Sequence, residues 1–128
     1  MTDRTILLVD KDPTEVDRLA QQLSPFGYGV RRCPAIEDLG ARIAEKKPSV
    51  LLIQLDKDPA LDKHMTIEAV SLVLGSEFSE TPTIFLADDY DLKTRLESIR
   101  AGAKAFIVRP FSPLELFDAL DHLTEPQE

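Results

Sequence analysis

The sequence lacks long hydrophobic runs, has a single cysteine and is short of positive charge. No apolar run among its 128 residues approaches the roughly 18 consecutive residues that a membrane-spanning helix needs. Its first residues, MTDRT, lack the charged-then-apolar layout of a signal peptide. Cys33 has no partner for an internal disulfide and suits a reducing compartment. The formal charge of −8 argues against a general nucleic-acid surface, which needs clustered cations, although it does not exclude a local basic patch. These absences predict one soluble, cytoplasmic domain with no direct contact to nucleic acid or membrane.

Short apolar runs are present instead, and they are typical of buried strands. They do not alternate with polar residues, and continuous runs of β-branched residues and leucine are typical of parallel strands covered on both faces. A weaker candidate, Tyr28 to Arg32, is polar and contains glycine, as an edge strand does. The strongly apolar runs are Thr5 to Val9, Val50 to Ile53, Thr83 to Ala87 and Ala105 to Val108.

Helical patterns separate these runs. Asp12 and Pro13 open the first helix, Glu15 stands at the spacing of a capping box with Asp12, and Pro25 and Gly27 end it. The later helices are predicted at Pro34 to about Lys46, at roughly Thr66 to Leu74, from about Asp91 to Gly102, and from the Ser112 cap onwards with Glu115 reaching back to it. The side chains expected to face the core are Val16, Leu19, Ala20 and Leu23 in the first helix, Ile36, Leu39 and Ile43 in the second, Leu92, Leu96 and Ile99 in the fourth, and Leu116, Phe117, Leu120 and Leu123 in the fifth.

The βα pattern repeated five times predicts an α/β fold with a parallel sheet and helices on both faces. In the flavodoxin-like order 2-1-3-4-5, the weak second strand lies at one edge, which matches its polarity. The functional crevice of such a sheet lies beyond the carboxyl ends of its central strands. We expect one domain over residues 1–124, followed by residues 125–128 as a tail or the start of a linker.

Two blocks of sequence, ILLVDKDP and AGAKAFIVRPFSPLEL, resemble the receiver domain of two-component response regulators, the CheY-like family. The resemblance extends from Ile6 to about Leu123. Phe106 stands at the aromatic position of the family's signature, and Pro110 follows its cationic position.

The resemblance implies a phosphorylation site of five positions. In the family, two adjacent acids after the first strand hold Mg²⁺, and an aspartate at the end of the third strand accepts a phosphoryl group from a histidine kinase. A threonine or serine ends the fourth strand and a lysine ends the fifth. Here Asp10 keeps the first acid, but the other four positions carry Lys11, Gln54, Ala87 and Arg109. Ala87 has no hydroxyl to donate to an oxyanion.

The other three changes also oppose the family's reaction. The amide of Gln54 cannot attack a phosphohistidine to form an acyl phosphate. Lys11 puts an ammonium where Mg²⁺ requires oxygen ligands, and it is able to pair with Asp10 or Asp12. Arg109 is a planar fork rather than a compact ammonium. We therefore expect a network of salt bridges and amides in place of the metal–phosphate centre, with no metal and no catalytic residue.

The leading interpretation is a pseudo-receiver, a non-enzymatic bacterial signalling module that works through protein contacts without phosphorylation and without a cofactor. One alternative is a true phosphoacceptor that uses the displaced Asp56 with Mg²⁺, since Gln54 and Asp56 share one side of an extended strand. A second alternative is an anion sensor that uses Lys11 and Arg109, and a third is the regulatory receiver of a diguanylate cyclase.

Cations concentrate around the fourth helix and fifth strand of this acidic chain. In the family, the face made by the fourth helix, the fifth strand and the fifth helix is the usual surface for dimers and output partners. We therefore expect a protein partner, a fused output domain or a second copy at this face. The cations are Lys93, Arg95, Arg100, Lys104 and Arg109.

Overall fold

A parallel sheet forms the centre of the computed structural model, which describes residues 4–10, 13–33, 35, 38–55, 81–87, 92–109 and 111–124. The strands run in the order β2-β1-β3-β4-β5, and every pair of neighbours is parallel. The predicted flavodoxin-like order is therefore confirmed. The strands are β1 (Arg4–Val9), β2 (Tyr28–Cys33), β3 (Val50–Gln54), β4 (Thr83–Ala87) and β5 (Ala105–Val108).

Helices of the described residues connect and cover these strands. They are α1 (Pro13–Leu23), α2 (Leu39–Glu45), α3 (Leu92–Ala101) and α4 (Pro113–Thr124), and a short 3-10 helix at Ser24–Phe26 follows α1. The helix predicted at Thr66 to Leu74 lies outside the described residues. Within the described ranges, the longest apolar helical stretch falls short of what a bilayer crossing requires.

Alternate residues of the central strands enter two separate cores. Leu7, Leu51 and Phe85 face one side of the sheet, where Leu39 of α2 packs against them. The other core is formed by residues of the opposite parity together with α1 and α4, namely Ile6, Leu8, Val50, Leu52, Ile84, Leu86, Leu19, Leu23, Leu116 and Leu120. This double coverage explains why the strand sequences are continuously apolar. The polar strand β2 lies at the edge, as predicted.

The second helix is shorter than the sequence predicts. The expected start was Pro34, but Ala35 lies in a bend and α2 begins only at Leu39. The Ala35 carbonyl oxygen accepts the Asp38 N–H at 3.1 Å and the Cys33 thiol at 3.0 Å. Pro34 and Ile36 lie outside the described residues. Leu39 and Ile43 pack on the core as expected.

The orientation of α3, which is the fourth helix of the sequence-based prediction, contradicts that prediction. Leu92, Leu96 and Ile99 were expected to face the core, yet their exposed fractions are 55%, 40% and 49%. Ser98 is instead fully buried. A stripe at helical spacing shows that a helix has an apolar side, but the attachment of the helix to the sheet decides where that side points. The structure therefore leaves an apolar stripe of α3 in solvent.

The helix ends agree with the sequence in three places. Gly27 (φ 88°) follows the 3-10 helix, and Gly102 (φ 112°) follows α3. In both, a left-handed backbone conformation suits glycine and ends the helical hydrogen bonding. The Ser112 hydroxyl oxygen accepts the Glu115 N–H at 3.0 Å, so the predicted cap of α4 is confirmed.

Candidate functional site

Four of the side chains singled out in the sequence stand at or just beyond the carboxyl ends of neighbouring strands. Asp10 follows β1, Gln54 ends β3, Ala87 ends β4 and Arg109 follows β5. A backbone hydrogen bond joins two of these ends, since the Arg109 N–H after β5 donates to the Ala87 carbonyl of β4 at 2.8 Å. Strand order thus brings the four positions to one edge of the sheet.

Arg109 connects β5 to β3. Its Nε donates a hydrogen bond of 2.9 Å to Gln54 Oε1. The amide nitrogen of Gln54 donates to the Leu55 carbonyl at 3.2 Å, which orients the amide with its oxygen toward the guanidinium. The side chains at the third and fifth strand ends are therefore bound to each other.

Arg109 also connects β5 to the first helix. Its Nη2 lies 2.7 Å from Glu15 Oε1. This short approach is a direct ion pair, although the N–H is not aligned on that oxygen for a hydrogen bond. Glu15 Oε2 lies 3.4 Å from Arg18 Nη1, one turn further along α1. One carboxylate therefore stands between two guanidinium groups.

Sequence reasoning missed the role of Glu15, because it assigned this residue to a capping box. In the structure its carboxylate lies against Arg109 and Arg18, and the residue is only 8% exposed. A signal was available, since Glu15 precedes the buried Leu19 by four residues and so lies on the covered side of α1. A carboxylate on the buried side of a helix needs a cationic partner.

Aromatic residues precede and follow Arg109 in the chain. The guanidinium carbon of Arg109 lies 5.0 Å from the centre of the Phe111 ring, within the range of a cation–π contact. Phe106, the aromatic residue singled out in the sequence, pairs in register with Phe85 and packs against the α2 side of the core. Phe111 therefore contacts the Arg109 guanidinium, while Phe106 anchors β5, the strand that Arg109 follows, in the core.

Asp10 is almost fully buried at the end of β1. Its N–H donates to the Cys33 carbonyl at 3.3 Å, and its own carbonyl accepts Arg32 Nε at 3.4 Å. One backbone–backbone bond and one bond from a side chain thus hold the strand end against β2. Lys11, Asp12 and Asp56, the other predicted members of the site, lie outside the described residues.

The described residues do not fit a divalent cation. Over these ranges, nowhere do three His, Cys, Asp or Glu side chains come together as a metal site. The oxygen of Gln54 accepts a hydrogen bond from Arg109, and the carboxylate of Glu15 is paired with the same cation. Mg²⁺ prefers several free oxygen ligands, and a guanidinium among them repels it.

No protein-family model matches the chain. Among curated proteins, it is 27% identical over 117 residues to the phosphate regulon transcriptional regulatory protein PhoB of Pseudomonas aeruginosa, covering 91% of this chain and 49% of that protein. It is 26% identical over 127 residues to the transcriptional regulatory protein FixJ of Rhizobium meliloti, covering 98% of this chain and 59% of the relative. The chain therefore spans about half the length of these curated relatives.

Solved structures share the fold. The crystal structure of FixJ-N superimposes with a TM-score of 0.78 at 25% identity, covering 100% of this chain and 98% of the other. The chemotaxis protein CheY4 of Vibrio cholerae also gives 0.78, at 21% identity, with 95% and 99% covered. Relatives and structural neighbours together support a receiver domain of the response-regulator, CheY-like type.

Proposed function

We propose that this receiver domain is a pseudo-receiver, a cytoplasmic, phosphorylation-independent regulatory module of a bacterial two-component-type signalling protein. The hydrogen bond from Arg109 Nε to Gln54 Oε1 carries the proposal. It joins the two positions between which the family's reaction puts a phosphoryl group. A neutral amide stands at the acceptor position, and the cation that would pair with the phosphoryl group is already engaged.

The chemistry of each strand end supports this proposal. An amide is not a nucleophile toward phosphohistidine, because its nitrogen lone pair is delocalised into the carbonyl. Ala87 has no hydrogen-bond donor on its side chain for an oxyanion. The module transmits through protein contacts and has no catalytic residue.

The exposed stripe of α3 supports a protein partner at the α3–β5–α4 face, the surface formed by these three elements. Leu92, Leu96 and Ile99 expose apolar area, and burying it against a partner would stabilise the complex. Exposed cations of α3 flank this stripe, among them Arg95 and Arg100. Lys93 is also exposed, but its charge is partly balanced by Glu97, which lies 3.8 Å away. The partner is a separate protein, a second copy or a fused output domain; the curated relatives are longer than the part of them that this chain matches.

The proposal is tested by treating the protein with acetyl phosphate and Mg²⁺, and separately with beryllofluoride and Mg²⁺. We expect the intact mass to stay unchanged after acetyl phosphate, since Gln54 cannot accept the phosphoryl group. We also expect the amide NMR spectrum to be unaffected by beryllofluoride. A response regulator of established phosphorylation, run in parallel, verifies both reagents.

Two variants identify the contrary result. A gain of one phosphoryl mass that is lost in Asp56→Ala but kept in Asp10→Ala would show Asp56 to be an acceptor and would overturn the proposal. A gain that persists in Asp56→Ala would indicate another acceptor and would overturn it equally.

A further inference from the structure

We propose that Glu15 is the internal counter-anion of Arg109 and closes this pocket to oxyanions from solution. It is a positioning residue, since it holds the cation that would otherwise attract a phosphoryl or carboxylate group. The inference rests on the proposed function and adds how the altered pocket is kept closed. Glu15 lies outside the five positions of the family's site.

Burial makes the pairing obligatory. Glu15 is 8% exposed, and the side chain of Arg109 is 24% exposed. Removing a charge from water costs free energy unless an opposite charge lies beside it. Arg109 Nη2 at 2.7 Å is its nearer guanidinium partner, and Arg18 at 3.4 Å is the more distant and more exposed one. Of these two guanidinium groups, Arg109 is therefore the nearer and less exposed compensating charge.

The contacts engage two of the three guanidinium nitrogens, including Nη2, which both forks of the group share. Nε donates to Gln54 Oε1 and Nη2 lies 2.7 Å from Glu15 Oε1, while the ring of Phe111 lies against the face of the group. A planar fork binds an oxyanion best with two parallel N–H groups. An incoming oxyanion would therefore have to displace the Glu15 carboxylate or the Gln54 oxygen.

Displacement is unfavourable because Glu15 is part of the same chain. Helix α1 holds the carboxylate within contact distance, so it competes at a high effective concentration. Moving it away would also leave a buried charge without its nearer partner. The intact protein should therefore ignore small oxyanions, whereas a protein without this carboxylate should bind them at Arg109.

The test is chemical rescue of Glu15→Ala by formate. Alanine removes the carboxylate together with one methylene, which leaves room for formate, and it preserves helix propensity. We expect formate to raise the thermal midpoint of Glu15→Ala saturably, by about 3 °C relative to chloride at equal ionic strength. The wild type should show no such difference. Inorganic phosphate, tested in the same way, measures whether the opened site also takes a larger anion.

Three variants serve as controls. Asp17→Ala removes an exposed carboxylate from the same helix and should not respond to formate. Glu15→Gln removes the charge but fills the space, so it should lose stability without rescue. In the double variant Glu15→Ala with Arg109→Gln, rescue should disappear because the cation is gone.

The NMR signal of the Arg109 Nε–H group gives a second readout, assigned by its absence in Arg109→Lys. It should shift on formate addition to Glu15→Ala and stay constant in the wild type. If Glu15→Ala is largely unfolded, recovery of its folded signals in formate but not in chloride is the expected result.

Two outcomes overturn the inference. One is an absence of any formate effect on Glu15→Ala, and the other is an equal formate effect on the wild type. Neither outcome bears on acetyl phosphate labelling of the wild type, so failure here leaves the proposed function standing. Conversely, labelling at Asp56 would overturn the proposed function whatever the rescue shows.

Discussion

Arg109 is the residue on which the described site converges. Its guanidinium donates to the amide oxygen of Gln54 in β3 and pairs with the carboxylate of Glu15 in α1. The same group lies against the ring of Phe111, which precedes α4. A lysine could not replace this arrangement, because a compact ammonium lacks the separate, coplanar Nε and Nη2 groups of a guanidinium. In this structure the arginine thus suits its two partners, Gln54 and Glu15.

Arg109→Lys should lower the free energy of unfolding by about 1–2 kcal/mol, since one of the two contacts is lost. Urea denaturation followed by circular dichroism measures the change. Arg95→Lys, on the exposed side of α3, is the matched control and should stay within about 0.5 kcal/mol of the wild type. Equal stability of Arg109→Lys and wild type would mean that the fork geometry contributes nothing.

Individual elements differ in how well their sequence predicts their orientation. α4 and α1 turn their apolar stripes toward the sheet, as expected from residues such as Leu19 and Leu120. α3 does the opposite, with Ser98 buried and Leu96 exposed. The sequence predicted the helix ends more reliably than it predicted which side of a helix faces the sheet. The reason is that Gly102 and Ser112 act through bonds to residues three or four positions away.

A pair of leucine-to-alanine substitutions tests this difference between helices. Leu120→Ala in α4 should cost about 2–5 kcal/mol of unfolding free energy, because it leaves a cavity in the core. Leu96→Ala in α3 should change it by less than about 1 kcal/mol, since that side chain is already 40% exposed. Chemical denaturation of both variants measures the two values. Similar large losses would show that Leu96 is packed in solution.

At the scale of the whole molecule, contacts between distant parts of the chain close the fold. Arg4 Nη1 at the start of β1 pairs with Asp121 in α4 at 2.7 Å and donates to the Tyr28 hydroxyl at 3.3 Å. The hydrogen bond to Asp121 and then that to Tyr28 raise the pKa of the Arg4 guanidinium. The edge strand, the first strand and the last helix are thus joined on one side of the sheet.

Hydrogen-exchange rates should distinguish the central strands of the sheet from its edge strand. The slowest amides are expected in the buried parts of β1, β3 and β4, since global unfolding alone exposes them. Amides of β2 that point away from β1 should exchange at least about tenfold faster, because an edge strand leaves them open to water. Mass spectrometry or NMR exchange measures the rates. Equal protection of both groups would indicate that another surface covers this edge.

The sequence by itself determined that the strands are parallel and, through the resemblance to receiver domains, predicted that Gln54, Ala87 and Arg109 lie at neighbouring strand ends. Continuous apolar runs and the βα alternation are signals of parallel strands, whereas the predicted strand order was that of the flavodoxin-like fold. The tertiary structure alone decided the partners within that neighbourhood. Whether Glu15 caps its helix or reaches Arg109, and which side of α3 meets the sheet, depends on helix rotation. Packing against the completed sheet sets that rotation, and spacing along the chain does not encode it.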